Sequence, residues 1–137
     1  MADKVAHRSS SARLRKVTRE TVRGRFEVLS LDETLKLLGK QWLSSEVEQL
    51  VIPRRTLARR KQHNETLTRE ETDRALRLAR IAAEANRVFG NRRKAFGWLR
   101  APNKVFSGQA PVALLRTELG AVLVEEALGR IDHGMFA

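Results

Sequence analysis

The side chains able to do covalent or metal chemistry are few in this 137-residue chain, and they do not converge. His7, His63 and His133 lie far apart, and none belongs to a helical metal-binding spacing. With no cysteine there is no thiolate nucleophile, no disulfide and no thiolate zinc site. The adjacent acids Glu70-Glu71 and Glu125-Glu126 are accounted for by helix capping and by a solvated helix face. No glycine-rich phosphate loop follows a strand. A catalytic centre needs titratable groups that meet, so the chain reads as non-enzymatic, with no catalytic residue, no metal and no cofactor of its own.

What remains is ionic binding. Twenty-seven Lys and Arg against sixteen acids give a net charge of +11. Such a field attracts polyanions, nucleic acid first among them, with a membrane surface or an acidic protein as the competing partners. The densest cluster is Arg54-Arg55-Thr56-Leu57-Ala58-Arg59-Arg60-Lys61-Gln62. Arginine is permanently charged and can pair with phosphate or guanine through two parallel hydrogen bonds. Arg54, Arg55, Thr56, Arg59, Arg60 and Lys61 are therefore the DNA-contact candidates. The alternative is a solvated basic helix end, since cations favour the last turn of a helix. A second basic segment spans 1–25, where eight Lys and Arg face only Asp3 and Glu20. It reads as a poorly ordered, solvated tail, with a DNA-contacting arm as the alternative. Its Arg- and Ser-rich composition also resembles a transit peptide, but folded-looking sequence follows at once.

The elements that must position these groups follow from apolar spacing. Leu31, Leu35, Leu38 and Trp42 recur at helical intervals, with Gly39 as a stop. Ser44-Ser45-Glu46 opens a short helix through a serine cap. A tight connection, Val51-Ile52-Pro53, leads into the basic helix at 54–62, where Leu57 alone faces inward. Two short helices around a tight turn can place the second one in a major groove. Thr68 and Glu71 have the spacing of a capping box and open the strongest helix, about 69–89. Ala75, Leu78, Ala79, Ala82, Ala85, Val88 and Phe89 form its continuous apolar face, with Leu76 and Ile81 at the margins.

Gly90 ends that helix as a left-handed cap, and Asn91 caps the next, which carries Ala95, Trp98 and Leu99 up to Pro102. A loop over 103–109 hinges at Gly108. Pro111 starts a helix with Val112, Leu114 and Leu115, and Gly120 separates it from a last helix with Val122, Leu123, Val124, Ala127, Leu128 and Ile131. Trp98 and Leu115 are expected in the core. No alternating strand pattern and no repeat is visible, so the chain reads as all-α. No stretch approaches the roughly 20 apolar residues that span a bilayer, the first residues lack the apolar core of a secretion signal, and the absence of cysteine fits a reducing compartment such as the cytoplasm.

The second half carries a specific likeness. Ala85-Asn86-Arg87-Val88-Phe89-Gly90-Asn91, then Lys94-Ala95, Trp98-Leu99 and Pro102-Asn103, resembles the toxin-binding domain of the Xre/MbcA/ParS antitoxin family. The match continues through Phe106-Ser107-Gly108, Pro111, Leu114-Leu115, Thr117, Gly120, Val124-Glu125 and Leu128-Gly129-Arg130-Ile131-Asp132-His133-Gly134. Residues 53–61 and the Leu67-Thr68 helix entry are similar to the family's Xre-like helix-turn-helix domain. There are departures: the first helix of that motif is short, its turn lacks glycine, and Ala110 stands where a hydroxyl cap often precedes the proline.

The resemblance implies an Xre-like helix-turn-helix domain at 26–84 and a small helical toxin-binding domain at 85–137, sharing the long central helix. It implies a homodimer that binds operator DNA, represses its own operon and masks the NAD pocket of a cognate RES-domain toxin; NAD is then the toxin's substrate. The implied toxin contacts are Arg130, Ile131, Asp132, His133, Gly134, Met135, Phe136 and Ala137. The residues agree with this: Ile131, Met135 and Phe136 are apolar beside a helix-breaking Gly134, and Asp132, His133 and a terminal carboxylate can pair with arginines of a nucleotide pocket. The alternatives are a tail folded back on its own helices, and a stand-alone DNA-binding regulator whose last helices only dimerise.

Overall fold

The structure is a computed structural model, and it describes residues 31–134. Every regular element among the described residues is helical and none is a strand, in agreement with the all-α reading. The expectations for the basic segment at 1–25 and for Met135, Phe136 and Ala137 lie outside the described residues. The chain forms two compact units, Met1–Ala79 and Arg80–Ala137, and the division falls inside the longest helix.

In the first unit, α1 (Leu31–Leu38) buries Leu31, Thr34 and Leu38, one stripe of a helix whose first turn carries Asp32 and Glu33. Gly39 closes it at φ +71°, its N–H donating to the Leu35 carbonyl at 3.1 Å. α2 (Ser44–Leu50) starts differently from the serine cap expected. Leu43 is the capping residue, Ser44 and Ser45 are the first helical residues, and the Leu43 N–H donates to the Glu46 carboxylate at 2.8 Å. Glu46, three residues in, supplies the acidic half of a capping box without a hydroxyl.

Val51 and Ile52, both buried, carry the chain into α3 (Arg54–Gln62). The missing glycine in this turn costs no strain, because the non-glycine residues with positive φ are Asn64 and Ser107, both outside it. α4 (Arg69–Phe89) opens with the capping box read from the sequence. The Glu71 N–H donates to the Thr68 hydroxyl at 3.2 Å, and the Thr68 N–H donates to the Glu71 carboxylate at 2.8 Å. Leu67, Ala75, Leu78 and Ala79 complete the core of this unit.

The second unit begins in the same helix with Ile81, Ala82 and Ala85, all buried; Ile81, expected at the margin, is central. α5 (Arg92–Arg100) is capped by Asn91, whose side chain accepts from the Lys94 N–H at 3.1 Å. Its buried face is Ala95, Phe96 and Leu99. Trp98 departs from its expected core position: it is half-buried, its ring tilted against Phe89 at 5.9 Å between centroids. Phe96, which the periodicity passed over, takes the interior place, and the Arg100 guanidinium lies 4.7 Å from its ring centre.

Short 3₁₀ turns at Lys104–Phe106 and Pro111–Arg116 follow, the second burying Leu115 as expected. α6 (Glu118–Asp132) is capped by Thr117, whose hydroxyl accepts from the Gly120 N–H at 3.0 Å. Gly120 is therefore no separator. It sits inside the first turn of α6, where a Cβ would fall 1.8 Å from the Leu114 carbonyl oxygen, so glycine is what lets the two backbones meet.

Candidate nucleic-acid and partner-binding surfaces

α3 presents two different sides. Arg54, Arg55, Ala58, Arg59, Lys61 and Gln62 are exposed, whereas Thr56, Leu57 and Arg60 are half-buried. The spacing explains it: Thr56 and Arg60 are four apart and Leu57 and Arg60 three apart, so all three share the inward side. The outward side holds Arg54, Arg55, Arg59 and Lys61 with no acid in the helix to offset them. Of these four, Arg54 has an anionic neighbour among the described residues, Glu48, at a loose 3.9 Å. Arg60 points the other way. Its guanidinium donates to the Glu71 carboxylate, and both side chains are largely covered, 11% and 7% exposed. Of the six DNA-contact candidates, four cations stand outward, Thr56 is half-covered and Arg60 is engaged internally.

The second candidate surface lies at the far end of α6. Arg130, Asp132 and His133 are exposed and Ile131 is half-buried. Gly134 turns the chain at φ +70°, its N–H donating to the Ile131 carbonyl at 3.0 Å. Asp132 is already paired: Arg87 on α4 donates to it at 3.0 Å while also bonding Glu84 at 2.6 Å. These two carboxylates, Glu84 first, hold the Arg87 pKa above its ordinary value. One heptad earlier on each helix, Arg80 reaches Glu125 at 2.5 Å and Glu118 at 2.7 Å. Burial works against the Arg80 charge, but the hydrogen bond that Arg80 donates to Glu118 and the fields of both acids outweigh it and raise its pKa. Glu118, Glu125 and Asp132 thus form an acidic row at seven-residue spacing that meets Arg80 and Arg87 at the same spacing.

A third feature escaped the sequence reading. Leu119, Val122 and Leu123 on α6 are 72%, 38% and 40% exposed. Their spacing of three and four makes one stripe, distinct from the buried stripe of Ala121, Val124, Ala127 and Leu128. The signal was present as a helix apolar on two sides, but the unbroken run 121–124 hides which residues go inward. Among the described residues no cluster of three or more His, Asp or Glu side chains could hold a metal, and no helix is long and apolar enough to cross a membrane.

Residues 84–134, which include α5, α6 and both 3₁₀ turns, match the family described as the antitoxin Xre/MbcA/ParS C-terminal toxin-binding domain. The chain is similar to a protein named Antitoxin Xre from Pseudomonas putida, 40% identical over 100 residues, 73% of this chain and 63% of that protein. An Antitoxin Xre of Yersinia enterocolitica is 39% identical over 87 residues, 63% of this chain and 59% of the relative. One from Photorhabdus laumondii is 33% identical over 82 residues, 59% of this chain and 55% of the relative. In each case the matched part is less than two thirds of the relative's length. Residues 84–134 are thus a C-terminal toxin-binding domain of the Xre/MbcA/ParS antitoxin kind, and the chain as a whole is similar to proteins named Antitoxin Xre.

Proposed function

We propose that this protein is the antitoxin of a toxin–antitoxin pair, without enzymatic activity, acting in the cytoplasm. It binds and neutralises a RES-domain, NAD-degrading toxin, occluding the toxin's active site with residues 130–137. As a homodimer it also binds operator DNA through the outward cations of α3 and represses its own operon. NAD belongs to the toxin as substrate, and this chain binds no cofactor.

The observation that carries the reading is the exposed stripe Leu119, Val122 and Leu123, set inside the region that matches a toxin-binding domain. Apolar side chains left in water forgo about 25 cal/mol per Å² of burial, so a contiguous row of them marks a surface that a protein partner covers. The same helix runs on to Arg130 and Asp132, with His133 as its cap, and these supply charged and polar contacts at its end. On the other unit, Arg54, Arg55, Arg59 and Lys61 form a one-sided cationic face suited to phosphate.

Co-expression with the product of the adjacent reading frame tests this. A tagged toxin is expected to retain the full chain through gel filtration, and Leu119→Ser with Leu123→Ser is expected to weaken that retention at least tenfold. If the full chain and the adjacent product elute separately at micromolar concentration, the antitoxin reading fails.

A further inference from the structure

α3 is held to its unit by very little apolar contact. No apolar residue of its nine is buried, and Leu57, its one inward apolar residue, borders a cleft of about 240 Å³ also lined by Leu35, Trp42, Val47 and Ile52. Buried anchors flank the helix, Ile52 before it and Leu67 after it. Anchors at two ends fix where a helix lies but leave it free to roll about its own axis. At a side-chain radius of roughly 6 Å, a roll of about 20° swings outward groups by about 2 Å, enough to break hydrogen bonds to a groove.

The missing constraint is supplied by one side chain within the helix. Arg60 donates to the carboxylate oxygen of Glu71 that also accepts the Thr68 N–H at 2.8 Å. That oxygen belongs to the capping box of α4, so Arg60 is tied to a helix start that is already fixed by two further hydrogen bonds within the box. A buried charge pair of this kind adds little net stability but is exacting about geometry, because moving either partner strands the other charge.

We propose that Arg60 is a positioning residue: its buried pair with Glu71 sets the rotation of α3 and so aims Arg55, Arg59 and Lys61, while Arg60 itself touches no phosphate. The inference rests on the reading of α3 as the DNA-binding helix. It assigns opposite roles to two adjacent arginines, and this makes it measurable.

The probe is a fluorescein-labelled duplex of the sequence immediately upstream of the gene, titrated with the full chain between 50 and 200 mM KCl. Arg59→Gln is expected to reduce the slope of log affinity against log salt by about 0.9, the loss of one phosphate contact. Arg60→Gln is expected to leave that slope within about 0.3 of the parent while lowering affinity at 100 mM KCl about tenfold. Should Arg60→Gln alone fail to fold, the double variant with Glu71→Gln leaves no buried lone charge, keeps an oxygen for the Thr68 N–H, and is expected to give the same pair of results. A slope that falls by about 0.9 in the Arg60 variants places Arg60 on a phosphate and overturns the inference while the DNA reading stands. Affinity within twofold of the parent also overturns it, since the pair then positions nothing that DNA senses. If the parent chain does not bind the duplex, the DNA reading fails and the inference with it.

Discussion

Arg87 on α4 donates to Asp132, the last residue of α6, at 3.0 Å, and in doing so ties the end of that helix to α4. The pair is largely solvent-exposed, so its contribution to stability is expected below about 1 kcal/mol. Arg87→Ala should leave the melting temperature nearly unchanged, yet speed amide exchange at Asp132 and His133, where the helix end loses its tether. A fall in melting temperature of more than about 8 °C would show that the pair is a structural keystone instead.

The core assignment of the second unit separates two aromatic residues on one helix. Phe96→Ala is expected to cost about 3–5 kcal/mol and Leu115→Ala about 2–5 kcal/mol, the ranges for deleting buried side chains. Trp98, half-buried against Phe89, is expected to cost less than about 2 kcal/mol when replaced by alanine. Urea denaturation of the three variants checks the ranking; a Trp98 variant less stable than the Phe96 variant would invert the packing described here.

Two glycines of α6 are predicted to respond in opposite directions. Alanine is the better helix former by about 1 kcal/mol, and at Gly129 nothing lies within 4 Å of the added Cβ, so Gly129→Ala should stabilise. At Gly120 the Cβ would meet the Leu114 carbonyl, and overpacking of about 1–3 kcal/mol or more outweighs propensity. Thermal melts that rise for Gly129→Ala and fall for Gly120→Ala are the expected result.

Arg55 and Arg59 both stand outward on α3. Replacing both with alanine should lower the salt slope of DNA binding by about 1.8, twice the single-contact value, and leave toxin binding untouched. An unchanged slope would move the DNA surface elsewhere, with the basic segment at 1–25 the next candidate.

Much of this was legible in sequence because it is local. The capping box of Thr68 and Glu71, the Asn91 cap and the bounds of α4 depend on residues three or four apart, which a linear reading captures. Errors arose where a choice is made in three dimensions. Phe96 and Trp98 lie close enough on α5 for either to face inward, and only the packed unit decides. The inward turn of Arg60 depends on Glu71, eleven residues away on another helix, so a run of cations looked uniform when it was not. On α6 the spacing showed that apolar residues share faces but not that two such faces exist, one packed and one exposed. Gly120 reads as a break in one dimension and is a close backbone approach in the fold.

We propose above that this chain silences an NAD-degrading partner through residues near the end of α6. The direct measurement is NAD loss catalysed by the purified product of the adjacent reading frame, followed with the full chain and with a variant lacking residues 131–137. An equimolar amount of the full chain is expected to suppress NAD loss at least a hundredfold. The truncated variant, folded by circular dichroism and retained on the partner through Leu119, Val122 and Leu123, is expected to suppress it less than twofold. Equal suppression by both proteins would contradict active-site occlusion, and an adjacent product that leaves NAD intact without the antitoxin would contradict the identity of the partner.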